Sequence, residues 1–246
     1  MADEVTTLQK RNIVILGRIG TGKKSIANQI LDKQHFNVDS SMISVTKEAS
    51  TEDVEVKDEK QKVHYNIKII DTVGPYSTVI DKETIFNQIK GCSINEVPEG
   101  VNLIIFTLRK DVYNISEEIK LFQTIIKHFK NDTRKRFALI ITGCEGLNEL
   151  GRENVIQEIK TDPSTRYIAN SMGKGIHPVG FPTLQNTKQS LKEALEQGIA
   201  SDAESLRKLV LDAGVVMLRR DILKEKLPIT KGERKESFCC NLCTIL

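Results

Sequence analysis

The hydrophobic positions of the chain alternate between short continuous runs and longer stretches with helical spacing. Residues 13–16 (Ile-Val-Ile-Leu) form a run typical of a buried parallel strand, and residues 25–33 place their apolar side chains three and four apart, as on a helix. The same patterns predict further strands at 101–108, 136–142 and 175–181, and further helices at 115–129, 149–160, 184–198 and 203–226.

Two neighbouring segments, 51–57 and 62–71, instead alternate polar and apolar residues, with a turn-like Asp58-Glu59-Lys60 between them. They predict an antiparallel pair. The other strands are separated by helices, which favours parallel strands joined by helical crossovers. We therefore predict an α/β fold in three layers: a mostly parallel sheet with one antiparallel edge strand, helices on both faces, and further helices at the C-terminus.

A glycine-rich segment follows the first predicted strand. Residues 17–24 read Gly-Arg-Ile-Gly-Thr-Gly-Lys-Lys, which matches the phosphate-loop pattern G-x-x-x-x-G-K-[ST] at every position but the last. Strand, loop and helix in this order direct backbone N–H groups and a helix N-terminus at phosphate oxygens. The alternative is a Gly-rich turn that happens to contain Gly-Lys. We predict phosphate binding by Arg18, Ile19, Gly20, Thr21, Gly22, Lys23, Lys24 and Ser25.

The last position of this motif normally holds a Ser or Thr whose hydroxyl binds Mg²⁺. Here it is Lys24, and a serine comes one residue later, at Ser25. An ammonium group cannot ligate Mg²⁺, although it can replace part of the ion's charge beside the phosphates. The alternative is that Lys24 points to solvent. Mg²⁺ is expected with the nucleotide, but its handling by this chain is left open.

Composition narrows the class of partner and the compartment. The chain has 246 residues, 28% of them charged, and a net charge of +3, which does not indicate a nucleic-acid partner. Its N-terminus lacks a signal-peptide pattern, and no apolar run approaches the roughly 18 residues of a spanning helix. Three of the five cysteines lie in the last eight residues. That spacing indicates neither a disulfide framework nor a zinc site, and a reducing cytosol is the simplest expectation.

A second nucleotide motif ends the strand predicted at 62–71. Asp71-Thr72-Val73-Gly74 supplies the Asp-x-x-Gly of Ras-like GTPases, in which the aspartate holds Mg²⁺ through water and the glycine N–H meets the γ-phosphate. Pro75 follows, where those enzymes carry the glutamine that orients water, so hydrolysis by that route is excluded. In the loop between the motifs, Thr46 is the candidate to close over the metal and the γ-phosphate. The predicted switch and metal residues are thus Thr46, Asp71, Thr72 and Gly74.

Together, the segments L-G-R-I-G-T-G-K-K-S-I-A-N-Q-I-L, S-V-T-K-E and D-T-V-G resemble the GIMAP family, the immunity-associated or AIG-type GTPases of the septin-like branch. Asn114-Ile115-Ser116-Glu117-Glu118 lies where that family has a short box before its third helix. The resemblance covers about residues 11–212. It implies a Ras-like G domain of the P-loop NTPase class, GTP/GDP as ligand, a homodimer or oligomer in the nucleotide-bound state, and work on membrane surfaces.

The chain departs from this family at Lys24, at Val73, where proline is usual, and in the segment that reads guanine. After the fifth strand the family carries an aspartate, whose carboxylate accepts from guanine N1–H and the 2-amino group. Here Gly146 holds that position and Glu145 comes one residue early. The segment 166–170 resembles the family's last base-contacting loop. By resemblance, the expected base-binding residues are Thr142, Gly143, Glu145, Asn170 and Ser171.

The C-terminus ends Cys243-Thr244-Ile245-Leu246, a loose fit to the C-a-a-X prenylation motif. Cys239 and Cys240 are candidate palmitoylation sites, and basic residues lie just upstream; two signals are needed for stable anchoring. The alternative is a tail with incidental cysteines. The predicted lipidation sites are Cys239, Cys240 and Cys243. The predicted organisation is an N-terminal extension (1–10), a G domain (11–200), an amphipathic helix (201–227) and a flexible basic tail (228–246).

The sequence therefore predicts a lipid-anchored guanine-nucleotide switch or oligomerising scaffold on the cytosolic face of a membrane. GTP hydrolysis to GDP and phosphate is expected to be slow and to need a partner or dimerisation for the missing groups. One alternative is a pseudo-GTPase interaction module that binds GDP without a Mg²⁺-dependent switch, which Lys24, Pro75 and Gly146 favour. A weaker alternative is an ATP-using enzyme with the same phosphate loop. No nucleic-acid partner is expected.

Overall fold

A computed structural model describes residues 7–32, 36, 50–58, 63–71, 100–111, 115–182, 184 and 187–214. Strands and helices follow one another along the chain, as the hydrophobic pattern predicts. The strands are β1 (Thr7–Leu16), β2 (Ser50–Asp58), β3 (Val63–Asp71), β4 (Leu103–Arg109), β5 (Phe137–Thr142) and β6 (Ile176–Pro178). The helices are α1 (Lys23–Leu31), α2 (Ile115–His128), α3 (Glu149–Thr161), α4 (Arg166–Ala169) and α5 (Gln189–Leu211), with a 3-10 helix at Asn131–Arg136.

The six strands form one sheet in the order β2-β3-β1-β4-β5-β6. Strands β3, β1, β4, β5 and β6 are parallel, and β2 pairs antiparallel with β3 at one edge. The predicted α/β fold, mostly parallel with one antiparallel edge strand, is confirmed. Because parallel neighbours share a direction, the carboxyl ends of β1, β3, β4 and β5 lie along one edge of the sheet, where ligands of such folds bind.

Apolar side chains cover both faces of the central strands, which explains their continuous hydrophobic runs. On one face, Phe106 packs edge-on against Phe122 of α2 and Phe137 of β5, with ring centroids 4.9 and 5.2 Å apart. On the other face, Ile13 and Ile15 pack against α1 and α5. The sheet is therefore clamped between two helical layers and forms a rigid support for the loops at its carboxyl edge.

The helices predicted at 184–198 and 203–226 were placed wrongly, because one continuous helix, α5, spans Gln189–Leu211. The predicted break, residues 199–202, follows Gly198 and contains Ser201 and Asp202, three residues of low helix propensity that tertiary packing overrides. Leu206 and Val210 are buried against the sheet, and the Arg11 Nε donates to the Leu211 carbonyl at 3.1 Å. The domain boundary predicted at residue 200 falls inside this helix, while residues 215–227 and the tail lie outside the described residues. None of the helices in the described part is both long and apolar enough to cross a membrane.

Candidate nucleotide site

The glycine loop between β1 and α1 lies directly against the end of β4. A Cβ at Gly17 would come within 2.0 Å of the Thr107 Oγ1, so no other residue fits there. The Thr21 and Thr107 hydroxyls are 2.6 Å apart, and the Thr21 Oγ1 also donates to the Arg18 carbonyl at 2.8 Å. Gly20 and Gly22 adopt left-handed φ angles of 80° and 84°, which glycine takes without strain. These contacts fix the loop in a defined shape.

Lys23 is held within its own loop. Its Nζ donates to the Gly17 carbonyl at 2.9 Å and to the Arg18 carbonyl at 3.0 Å, and the residue is only 8% exposed. The ammonium group is thus folded back over the loop rather than extended into solvent. This geometry places a cation beside the converging backbone of residues 17–22.

The start of α1 favours an anion. Gly22 is its N-cap, no side chain caps the first turn, and the first turn contains no acidic residue. Lys23 and Lys24 occupy the first two helical positions, where the helix dipole disfavours positive charge. An anion at this helix end would be stabilised both by the N–H groups of the first turn and by the two lysines. The local sequence therefore disfavours the helix in isolation and favours the binding of phosphate.

The position of the loop that supplies a metal ligand in this motif carries a lysine. Lys24 stands where a hydroxyl ligand is needed, and an ammonium has no lone pair to offer. The side chains of Lys24 and Ser25 make no hydrogen bond or ion pair with any other described residue. Across the described ranges, no group of three or more His, Cys, Asp or Glu side chains is arranged to hold a metal ion.

A buried carboxylate lies beside the loop. Glu118 of α2 is 1% exposed, and its Oε1 is 4.0 Å from the Arg18 Nε. Its Oε2 is buried with no hydrogen-bond partner among the described residues. Burial raises the pKa of Glu118, and the charges of Arg18 and Lys23 oppose this rise only in part. The carboxylate is therefore in an environment that favours its protonated form.

The segment after β5 joins the phosphate loop at Thr142. The Thr142 Oγ1 donates to the Thr21 carbonyl at 2.9 Å, and a Cβ at Gly22 would lie 3.1 Å from the Thr142 Cγ2. Thr142 was predicted to contact the base, but its buried hydroxyl is engaged in bracing the phosphate loop. We call the next four residues the base loop: Gly143, Cys144, Glu145 and Gly146. This loop begins at the same edge of the sheet as the phosphate loop.

Gly180 fixes the position of Glu145. A Cβ on Gly180 would lie 2.3 Å from the Glu145 Cα, so the two backbones touch. The Cys144 N–H donates to the Val179 carbonyl at 3.1 Å, which pairs the base loop with the chain leaving β6. The Cys144 side chain is fully buried, and burial raises its pKa, so it serves packing. Glu145 itself is exposed, with its carboxylate available to a ligand.

Asn170 and Ser171, which were predicted to lie near the base, lie far from Glu145. They follow α4, whose neighbourhood is the start of β5: the Gly173 N–H donates to the Arg134 carbonyl, and the Lys174 N–H donates to the Phe137 carbonyl. Glu145 follows the other end of β5, and the two ends of this six-residue strand are about 17 Å apart. The Ser171 hydroxyl donates to the Tyr167 carbonyl at 2.9 Å. Residues 166–170, which resemble the family's base-contacting loop, precede β6. Ligands of such sheets bind at the loops that follow the strands.

The remaining predicted site residues are described only in part. The backbone of Asp71 pairs with Ile15 of β1, which brings it to the same edge as the glycine loop. Thr46, Thr72 and Gly74, and the predicted lipidation sites Cys239, Cys240 and Cys243, lie outside the described residues. Their roles stay predictions.

Four contacts of the site were not predicted from the sequence. They are the contacts of Thr107, of Glu118 and of Gly180, and the ion pair that Arg152 of α3 forms with Asp202 of α5. Thr107 is a polar residue inside an apolar strand, which was a usable signal. Gly180 ends the predicted strand 175–181, the position from which a loop reaches a ligand in such sheets. Glu118 and Asp202 become informative only once their burial is known, because the sequence places Glu118 on an ordinary amphipathic helix and Asp202 between two predicted helices.

Comparison with known proteins gives three related results. Residues 11–173 match the model of the AIG1 family. Immune-associated nucleotide-binding protein 7 of Arabidopsis thaliana is 26% identical over 170 residues, covering 65% of this chain and 53% of that protein. Immune-associated nucleotide-binding protein 9 of the same plant is 24% identical over 67% of this chain and 45% of its own length. The chain thus spans about half the length of these curated relatives.

Solved structures show the same fold. Toc33 from Arabidopsis thaliana in complex with GDP and Mg²⁺ aligns with a TM-score of 0.57 at 18% identity, covering 83% of this chain and 84% of that one. Its complex with Mg²⁺ and GMPPNP aligns with a TM-score of 0.55 at 18% identity, covering 84% and 85%. A dimerisation-deficient mutant of Toc33 aligns with a TM-score of 0.56 at 19% identity, covering 83% and 84%.

Proposed function

The chain belongs to the AIG1 family, and we propose that it binds guanine nucleotides at the carboxyl edge of its sheet and hydrolyses GTP slowly. The diphosphate occupies the glycine loop, and the base lies over residues 143–146. The names of the curated relatives and the GDP and GMPPNP complexes of Toc33 support this proposal for a chain of the same fold. Pro75 leaves no side chain to orient water, so turnover depends on a group from a partner.

The observation that carries the proposal is the geometry of Lys23. Its Nζ already rests on two carbonyls of its own loop, at 2.9 and 3.0 Å, beside an uncapped helix N-terminus. A lysine held in this way presents its charge to an anion without paying for reorganisation. The Thr21–Thr107 and Thr142–Thr21 contacts keep the loop in that shape.

Guanine selectivity is assigned to Glu145. Its carboxylate accepts from two donors at once, guanine N1–H and the 2-amino group, which adenine does not present in the same arrangement. Gly146 stands where the family carries aspartate, and the close contact of Gly180 sets where Glu145 begins. The longer glutamate side chain compensates for its position one residue early.

Glu145→Gln tests this assignment directly. A glutamine amide has an N–H donor that suits the 2-oxo group of xanthine and opposes the 2-amino group of guanine. The variant is expected to bind GDP about 10-fold to 100-fold more weakly and to gain affinity for xanthosine diphosphate. Glu149→Gln, an exposed neighbour at the start of α3, is the matched control. Parallel loss of both nucleotides, or no change, would contradict the role of Glu145.

Membrane attachment and self-association form the second part of the proposal. We infer that Cys239, Cys240 and Cys243 carry lipids that hold the chain on the cytosolic face of a membrane, and that nucleotide loading drives dimerisation or oligomerisation. The terminal C-a-a-X pattern with two further cysteines supports the first, and a dimerisation-deficient mutant of Toc33 implies that this relative in fold dimerises. Cys243→Ser should move the protein from membranes to the soluble fraction, and light scattering with GDP or GMPPNP tests association.

A pseudo-GTPase is the second candidate, favoured by Lys24. If the ammonium of Lys24 takes over part of the metal's charge, GDP binds without a Mg²⁺-dependent switch. EDTA then leaves nucleotide affinity nearly unchanged, and no phosphate is released from GTP. Turnover that requires Mg²⁺ would instead support the slow GTPase.

A further inference from the structure

We propose that the buried Arg152–Asp202 ion pair positions the base loop, so that helix α5 takes part in guanine selectivity. The inference rests on the proposed function, because it assigns a cause to the placement of Glu145. Arg152 belongs to α3 and Asp202 to the middle of α5, 50 residues apart in sequence. Neither residue reaches the phosphate loop, and both act on the base through the backbone that they hold.

The pair has the geometry of a two-point contact. The Arg152 Nη1 donates to the Asp202 Oδ1 at 2.5 Å, and the Nη2 donates to the Oδ2 at 2.9 Å. The Asp202 side chain is 9% exposed and that of Arg152 is 25% exposed. The hydrogen bonds to Asp202 raise the pKa of Arg152, so the guanidinium stays charged. A bidentate pair of this kind fixes direction as well as distance.

The same two side chains also bind two segments of backbone, one directly after the base loop and one at the end of β6. The Asp202 Oδ2 accepts from the Gly180 N–H at 2.8 Å. Arg152 donates to the Pro178 carbonyl at 3.0 Å through its Nη1 and to the Leu147 carbonyl at 3.4 Å through its Nε. Leu147 directly follows the base loop, and its N–H donates to the Cys144 carbonyl at 3.1 Å. The ion pair therefore binds Leu147, directly after the base loop. It also binds Pro178 and Gly180, and the backbone of Gly180 contacts that of Glu145.

The attachment of α5 to the sheet does not depend on this pair. Leu206 and Val210 are buried in the apolar cluster that α5 shares with α1 and β1, and a second ion pair joins Arg207 of α5 to Asp32 after α1, at 3.1 Å. A buried ion pair adds little net stability compared with apolar packing, since its charges lose their hydration. What the Arg152–Asp202 pair adds is orientation, and the group oriented is the loop that carries Glu145.

Asp202→Asn removes the charge at nearly constant shape and provides the test, with Arg207→Gln as the matched control on the other α5 ion pair. The affinities for GDP and inosine diphosphate are measured for each full-length variant by calorimetry. Inosine keeps N1–H but lacks the 2-amino group, so the ratio of the two affinities reports the contact between the carboxylate and that amino group. D202N is expected to reduce GDP affinity about 10-fold and to bring the ratio towards one, while R207Q preserves it.

General destabilisation cannot imitate this result, because it lowers both affinities together and leaves their ratio unchanged. Should D202N not fold, Arg152→Lys carries the same test, since lysine keeps the charge but cannot reach Asp202 and both carbonyls at once. An unchanged ratio in the folded variant would overturn this inference alone. Equal affinity of the wild-type protein for GDP and inosine diphosphate would overturn the proposed role of Glu145 and this inference with it.

Discussion

The two halves of the site are built in different ways. The phosphate loop takes most of its contacts from itself: Lys23 binds the carbonyls of Gly17 and Arg18, and Thr21 binds Arg18 as well. The base loop is instead held from outside, by Gly180 and by the Arg152–Asp202 pair. Under the proposed function, affinity for phosphate is therefore encoded locally, whereas the choice of base depends on residues far away in the sequence.

This difference predicts which substitutions matter for which part of the ligand. Changes in residues 17–24 should affect every nucleotide alike, because all of them carry phosphates. Changes around the base loop should alter discrimination between bases, even from positions that touch no ligand. The contacts of Thr142 with the phosphate loop are where the two halves meet, since its hydroxyl donates to the Thr21 carbonyl.

The largest effect is expected from Lys23→Ala. Removing the ammonium takes away a charge-assisted contact to the phosphates, and the affinities for GDP, GTP and inosine diphosphate should each fall about 100-fold, or about 2.7 kcal/mol. Isothermal titration measures all three. Lys127→Ala on the exposed face of α2 is the control. A loss that depends on the base would contradict the local character of the phosphate loop.

Gly180→Ala should weaken the base half selectively. The added Cβ would lie 2.3 Å from the Glu145 Cα, so the backbone of one loop must move. GDP affinity is expected to fall about 10-fold with a smaller fall for inosine diphosphate. Gly198→Ala adds a methyl group in open space on α5 and serves as the control. Retention of the full preference for guanine in Gly180→Ala would show that Glu145 is not set by this contact.

Lys24→Ser returns a hydroxyl to the position that ligates Mg²⁺ in this motif. The variant is expected to lose GTP affinity about 10-fold on addition of EDTA, a larger loss than that of the wild-type protein. Fluorescent nucleotide titrations with and without Mg²⁺ measure both. Ser25→Ala is the control, because its hydroxyl is one residue out of place. Equal metal dependence of Lys24→Ser and wild type would show that Lys24 does not determine how GTP affinity depends on Mg²⁺.

The smallest effect concerns stability. Burial raises the pKa of Glu118, so its contribution to stability is complete below the unfolded value near 4.5 and is lost as pH rises through the folded pKa. Glu118→Gln, which stays neutral, should therefore exceed the wild type by about 1 kcal/mol at pH 8, and the difference should shrink as pH falls towards 4.5. Urea unfolding at several pH values measures it. A less stable Glu118→Gln at pH 8 would mean that Arg18 and Lys23 require the charge.

The local half of the site was predictable from sequence. Glycines at fixed spacing and a lysine directly after the last of them determine a phosphate loop, and the period-two pattern at 51–57 and 62–71 determined the antiparallel edge. These features depend on neighbours in sequence, which a pattern records. The mostly parallel sheet followed from the alternation of strand and helix.

The distant half was not predictable. Asn170 and Ser171 were assigned to the base by likeness, but the short helix α4 places them at the opposite end of β5. The single helix α5 was divided at a run of small and polar residues, because burial of Leu206 and Val210 outweighs local propensity. Contacts between segments, such as that of Gly180 with Glu145, depend on packing that periodicity does not encode.

The central claim is that this fold binds guanine nucleotides at the carboxyl edge of its sheet. Titration of the purified full chain with GDP and with ADP tests it most directly. Two hydrogen bonds to a carboxylate correspond to about 100-fold discrimination, so GDP should bind about 100 times more tightly than ADP. Equal affinities, or no binding of GDP, would contradict the account.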